Sequence, residues 1–372
     1  MQNERLHGLD AARSTMVLLG IIVHAAIVLP AFATVTTKDQ TALNAVYAVI
    51  HLFRMPVFFV ISGLFSARIL KTEGVRAYLI SRFKRIVSVM MVAALIIAPV
   101  LYNSGCTWCT SSYSTDYLHT GWIYLWFLYY LAIISHLALL ASIVTQRLPK
   151  AFTGWFARLV DSASFRPHVL LLVGLLVASI PGVVDDGGQT RVEMGFVPNL
   201  SLVVYFSVWF SIGWIMYRNL ARLLADLTRF AWFNFVSCLV FAAFSYLAYN
   251  QWHSPWQPQV HELAVTFSAF AVIGLFMRYL HFENPSIRYL SNASYWMYLF
   301  HAPILFATIA ALGHSGLNIY LVALIGIVVT VAATLASYHW LVRPTIIGRY
   351  LSGRRRPRRD RALAGSELTR AQ

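Results

Sequence analysis

Charge is what this chain has least of. Of its 372 residues only 12% are Asp, Glu, Lys or Arg, whereas a soluble domain carries about a quarter. With 59% apolar residues, 15% aromatic residues and a mean hydropathy of +0.64, that deficit excludes an ordinary water-soluble domain. Catalytic short motifs are missing as well. There is no Walker loop, dinucleotide fingerprint, Gly-x-Ser-x-Gly elbow or His-Glu-x-x-His pair, which removes the reactions those motifs serve. Cysteine is sparse: three in all, with Cys106 and Cys109 in the loop GCTWCTSS. That pair is either a tight disulfide or two thiols, and with only His119 nearby it falls short of a zinc ligand set. No metal is expected. Internal repeats and low-complexity stretches are absent apart from the tail.

What remains is long apolar runs. Stretches near the 20 residues needed to cross a bilayer fall at 10–32, 44–66, 86–103, 121–145, 168–184, 197–217, 230–250, 259–280, 291–312 and 318–341. The expected fold is all-α: a polytopic integral membrane bundle of about ten transmembrane helices, in which every backbone polar group is satisfied within its own helix. Basic residues stay with cytoplasmic loops. Arg68, Lys71, Arg76, Arg82, Lys84 and Arg85 follow the second run, Arg147, Lys150, Arg158 and Arg166 the fourth, and Arg218, Arg222 and Arg229 the sixth. Alternate loops hold only Lys38 and Arg191. Both termini are therefore expected in the cytoplasm. The membrane domain spans 1–345, and 346–372 forms a basic tail, expected to be disordered and to lie against anionic lipid. Topology accounts for most of the +15 charge, so nucleic acid is not among the expected partners.

Ionisable side chains inside those runs are costly and therefore informative. Arg13 and His24 lie eleven residues apart in the first run, close to three helical turns, on one face and about 16 Å apart along the axis. His51 and Arg54 of the second run and His301 of the ninth reach similar depth. A single membrane histidine reads as polar glue between helices. Three imidazoles with a guanidinium read as a water-filled functional cavity. Pro56 and the Ser62-Gly63 pair either kink the second helix or admit a ligand close to its backbone. Carboxylates are not expected at that depth, which argues against a proton-coupled transporter and a paired-carboxylate glycosidase. A neutral imidazole such as His24 suits general base catalysis of acyl transfer, with an activated, phosphate-bearing thioester donor held at the basic mouth.

These residues carry a resemblance. RLHGLDAARSTMVLLGIIVH resembles the Arg-x(10)-His signature of the membrane acyltransferase 3 family. FRMPVFFVISGLFSA, SRFKRI, GWIYLWFLYYL and SNASYWMYLFHAPI are similar to that family's other blocks, in matching order over nearly the whole chain. IHLFRM followed by FFVISG is most similar to the branch implicated in succinylating osmoregulated periplasmic glucans.

The resemblance implies an acyl-CoA donor, succinyl-CoA or acetyl-CoA, entering from the cytoplasm, and an acceptor hydroxyl of a glucan or other carbohydrate on the outer side. His24 is then the general base, with a transient acyl-histidine as the variant. Arg13, Arg82, Lys84 and Arg85 bind nucleotide phosphates, or the last three serve only as positive-inside anchors. Arg54 either stabilises the oxyanion or orients a carboxylate on the acyl group. His51 and His301 orient His24 or the acceptor, or glue helices together. Asp10 holds Arg13 or caps the first helix.

At the outer mouth, Trp108, Trp122, Trp126, Trp252 and Trp256 form either an interfacial belt or a sugar platform. Asp116, Asp185, Asp186 and Glu193 are either loop charges or sugar ligands, and Glu262, already inside the eighth run, is a candidate sugar ligand. Besides acyl-CoA and the carbohydrate, membrane lipids and a second copy of the chain in a homo-oligomer are compatible partners. Two other classes compete: a polytopic transporter with a polar path and no covalent chemistry, and a structural component of an envelope assembly.

Overall fold

The structure, a computed structural model, describes residues 6–103, 122–149, 164–184, 195–251 and 254–345, with positions 154, 155, 158, 161, 162, 190 and 348. Cys106, Trp108, Cys109, Asp116, His119, Lys150, Asp185, Asp186, Arg191, Glu193, Trp252 and the tail arginines lie outside the described residues, and with them the loop pairing of the cysteines and the basic tail.

Eleven helices make up the described fold: α1 His7–Phe32, α2 Thr37–Arg82, α3 Ser88–Asn103, α4 Trp126–Thr145, α5 Pro167–Ala178, α6 Leu200–Met216, α7 Leu220–Arg229, α8 Ala231–Asn250, α9 Gln257–Tyr279, α10 Pro285–Leu312 and α11 Ile319–Ser337. Among the described residues there is no strand, only an isolated antiparallel bridge between Val184 and Thr190. Local sequence sets the starts. Thr36 and Asp39 form a reciprocal capping box at α2, with the Asp39 amide donating to Thr36 Oγ1 at 3.2 Å and the Thr36 amide to Asp39 Oδ2 at 3.3 Å. Asn199, Asn284 and Asn318 cap α6, α10 and α11 through their side-chain oxygens. Pro167 and Pro285 occupy first-turn positions where no amide hydrogen is needed.

Among the described residues, seven helical stretches are long and apolar enough to cross a membrane, eight if α6 and α7 count as one bent span. This is the architecture of a polytopic membrane protein. It differs from the ten separate spans expected from hydropathy. The second and third runs belong to one helical path, α2, a π-helical turn at Phe83–Val87, and α3, broken within α2 only at Gly74, whose φ of 82° is left-handed. Arg68, Lys71, Arg76 and Arg82 are thus helical residues and not loop residues. The fifth run yields only the twelve residues of α5, too short to span. The stretch holding Arg222 and Arg229 is the amphipathic helix α7, turned 112° from α6, which buries Leu223 and Leu227. At the α6 end, Arg218 grips Asp161 with Nε–Oδ1 2.5 Å and Nη2–Oδ2 2.7 Å. This contact holds the Asp161 carboxyl below its ordinary 3.8.

The core gathers around α1, which packs against α2, α9, α10 and α11. Gly63 is a point of close backbone packing. A Cβ there would stand 1.9 Å from the Phe210 carbonyl oxygen, and one on Gly213 would stand 1.8 Å from that of Val60. The two glycines let the backbones of α2 and α6 cross in contact, as small residues do where no hydrophobic force drives membrane helices together.

Candidate active site

Three adjacent cavities are lined in part by α1. At the Arg13 end lies one of about 790 Å³, in which Arg13, Arg68, Arg82, Lys84 and Arg85 outnumber the carboxylates Asp10 and Glu73. At the other end lies one of about 420 Å³, bounded by His24, Tyr47, His51, Arg54 and Trp126. Between them is a waist of about 30 Å³, lined by Gly20, His24, Arg54, Tyr124, Tyr298 and His301 among others. Val17, Phe58, Phe127 and Tyr298 border both the large cavity and the waist, while His24, Arg54 and Trp126 border the waist and the smaller cavity.

The waist brings together three of the four expected catalytic side chains. His24 of α1 and His301 of α10 stand with ring centroids 5.0 Å apart. His301 Nδ1 lies 2.7 Å from the Tyr298 carbonyl oxygen. A carbonyl only accepts, so Nδ1 carries the proton and Nε2 of the neutral ring keeps its lone pair. That Nε2, like His24 Nδ1 and Arg54 Nε, has no hydrogen-bond partner among the described residues. His301 and Arg54 are buried, whereas His24 is partly accessible and opens onto the waist and the smaller cavity. The Arg54 guanidinium rests against the α1 backbone at Gly20, where a Cβ would meet its Nη1 at 2.5 Å. Only glycine leaves that space.

His51 departs from the expected single layer. It borders the smaller cavity and not the waist, stacked on Tyr47 at 4.8 Å. Sequence reasoning missed its companions. Gln40, Asn44, Tyr47, His51 and Arg54 follow a 4-3-4-3 rhythm on α2 and all border this cavity. The rhythm was readable, but only its two ionisable members stood out.

The expected phosphate ligands all line the large cavity, yet not as a simple surface cluster. Arg13 Nη2 donates to Ser291 Oγ at 2.7 Å and to the Ser291 carbonyl at 3.1 Å, and Asp10 Oδ1 lies 3.5 Å away. The Ser291 hydroxyl in turn donates to Asp10 Oδ1 at 3.1 Å. Asp10 therefore holds Arg13 directly and through Ser291. Arg82 is buried, with Nη1 donating to Ser66 Oγ at 3.1 Å and its guanidinium 5.5 Å above the Tyr78 ring. Lys84 and Arg85 sit in the π-helical turn, whose carbonyl at Arg85 accepts from the Tyr295 hydroxyl. Such turns recur at functional sites because they re-aim side chains.

Two outer-mouth expectations need correction. Trp126 is buried against the waist and is no interfacial belt residue, while Trp256 is exposed. Glu262 is neither solvated nor available to a sugar. It is fully buried in α9, where Tyr205 donates to its Oε2 at 3.1 Å, so a carboxylate does lie inside the bundle, although it lines none of the three cavities.

A family model described as an acyltransferase domain matches residues 6–339. The chain is also similar to the proteins named glucans biosynthesis protein C of Salmonella paratyphi B, Salmonella agona and Salmonella enteritidis PT4. Each is 25% identical over 343 residues, covering 81% of this chain and 82% of the relative. No solved structure matches. The matched segment takes in α1 to α11 and every residue bordering the waist, and the chain belongs to the acyltransferase 3 family.

Proposed function

We propose that this protein is an inner-membrane O-acyltransferase that takes a succinyl or acetyl group from cytoplasmic acyl-CoA and passes it to a hydroxyl of a periplasmic or cell-envelope glucan or other polysaccharide. The observation that carries this reading is an imidazole, His24, at the waist between a cation-rich cavity and a second cavity that has one polar edge and no carboxylate in its described lining. The large cavity falls within the 300–1,000 Å³ range of small-molecule sites, and its excess of guanidinium and ammonium groups suits the phosphates of a nucleotide. The relatives' name supports a glucan as acceptor.

The chemistry is a single displacement. The acceptor hydroxyl oxygen attacks the thioester carbonyl carbon while His24 takes the hydroxyl proton. The tetrahedral intermediate's oxyanion faces Arg54, the C–S bond breaks, and the proton passes from His24 to the leaving sulfur, giving an ester and free CoA thiol. A positioned base contributes about 10²–10⁴-fold, and an oxyanion donor about 10²–10³-fold. His301 is a positioning residue for His24, its bare Nε2 oriented by the bond from Nδ1 to Tyr298. On this reading the Arg13 end of α1 is cytoplasmic and both termini share that side.

The test uses the full chain in lipid nanodiscs with radiolabelled succinyl-CoA or acetyl-CoA and a glucan acceptor. Label moves to the glucan with wild-type protein and not with His24→Ala, while circular dichroism shows the variant folded. Transport of intact glucan with no acyl-CoA consumed overturns the proposal.

A further inference from the structure

We infer that the 420 Å³ cavity is a binding track for a neutral, linear carbohydrate, read lengthwise by the polar edge of α2. This deepens the transfer reading and rests on it for the direction of travel, but not for the binding itself.

Gln40, Asn44, Tyr47, His51 and Arg54 descend one face of α2, all bordering the cavity. Fourteen residues of helix extend about 21 Å, several pyranose rings end to end. The outer part of this edge is accessible, with Asn44 exposed and Gln40 and Tyr47 partly so, whereas the inner His51 and Arg54 are buried, 6% and 8% exposed. The series therefore runs from an open mouth to the waist. Its chemistry is amide, amide, phenol, imidazole, guanidinium, a succession of neutral donors and acceptors that ends in one cation. Across from it stand Val23, Ile27 and Pro30 of α1 and the indole of Trp126.

A cavity with one hydrogen-bonding wall and one apolar wall matches a pyranose, whose hydroxyls project at its edge and whose C–H groups form its face. Aromatic rings such as Trp126 offer the apolar side of that fit. With no carboxylate and one cation, at the inner end, the lining gives a polyanionic polymer little to hold. Two buried atoms on the track, His51 Nδ1 and Arg54 Nε, lack hydrogen-bond partners among the described residues. Groups buried so deeply without a partner incur a desolvation cost that a hydroxylated ligand relieves. Gln40 Nε2 donates to Asn44 Oδ1 at 2.8 Å, which fixes the two amides side by side at the mouth.

The experiment is saturation-transfer NMR on the full chain in nanodiscs, with a linear glucose tetramer as probe and glucose as its short control. Wild-type protein is expected to saturate the tetramer more strongly than glucose. Gln40→Ala and Asn44→Ala, at accessible positions that leave the core intact, are each expected to weaken tetramer binding about fivefold, the effect of losing one neutral hydrogen bond. Asn250→Ala, on exposed α8, binds as wild type. Equal tetramer binding by wild type and both mouth variants overturns the track, as does equal binding of tetramer and glucose. Acyl-CoA turnover on the same preparations separates the two proposals. Tetramer binding that depends on Gln40 and Asn44 without turnover defeats the transfer reading alone. Turnover with track-independent binding defeats the track alone.

Discussion

Gly20→Ala should silence this protein without unfolding it. A methyl at that position would stand 2.5 Å from Arg54 Nη1 and 3.7 Å from Cζ. The obstruction is the far end of a flexible side chain and not backbone, so the guanidinium can yield by swinging about 1 Å from α1 until ordinary contact is restored. Stability changes little: alanine gains up to about 1 kcal/mol of helix propensity over glycine, which offsets much of the repacking strain. Catalysis does not escape. Displacing a positioned group by about 1 Å can cost on the order of 10²-fold in rate, close to the loss of an oxyanion donor altogether. The assay pairs thermal unfolding of the purified variant with its initial rate of label transfer from acyl-CoA to glucan. We expect a melting temperature within a few degrees of wild type and a rate lowered between ten- and a hundredfold. A wild-type rate in a folded Gly20→Ala protein would refute the placement of Arg54 at the reacting carbonyl. Unfolding would refute the idea that only the guanidinium tip depends on the missing side chain.

His24→Ala should lower label transfer by at least about 10²-fold, read by the same assay in folded protein. Ser291→Ala removes the hydroxyl that joins Arg13 to Asp10; a roughly tenfold rise in donor KM is expected from the loss of a charge-assisted bond, with recovery in Ser291→Thr. Gly63→Ala drives a Cβ into the backbone of α6 and should cost about 1–3 kcal/mol or more of stability, seen as a lower melting temperature. Because Arg218 holds the Asp161 carboxyl below 3.8, its stabilising effect is present above that pH and lost as pH falls through the lowered value. The difference in melting temperature between wild type and Asp161→Asn should therefore be small at neutral pH, as suits an exposed pair, and vanish in acid.

The class of fold was legible because lipid imposes a coarse rule: apolar stretches of bilayer length become helices. The count was less so. Hydropathy does not see that α2 continues through its basic residues to a break at Gly74, nor that α5 stops after twelve residues. Charges at 222 and 229 suggested a loop, yet Leu223 and Leu227 supply the buried stripe of a helix lying across the bundle end. Within the site, His24, Arg54 and His301 stood out because ionisable groups are rare in apolar helices and hence conspicuous. Gly20, Ser291 and Tyr124 did not, since each is common in membrane helices and acquires meaning only from a partner distant in sequence. Glu262 misled for the opposite reason. Its position at the outer start of a helix suggested a sugar ligand, whereas Tyr205 holds it inside the bundle.

A passage pinched to about 30 Å³ has an electrical consequence. One water needs roughly 10–15 Å³ of such space, so the waist has room for about two or three molecules of solvent and no hydrated ion. Each elementary charge crossing a bilayer at 100 mV releases about 2.3 kcal/mol, and an open pore would let that energy drain away. Under the proposed transfer, a two-carbon or four-carbon fragment would change sides while its carriers stayed put. On that proposal the host cell would decorate its exterior with metabolites drawn from its interior and keep its proton gradient.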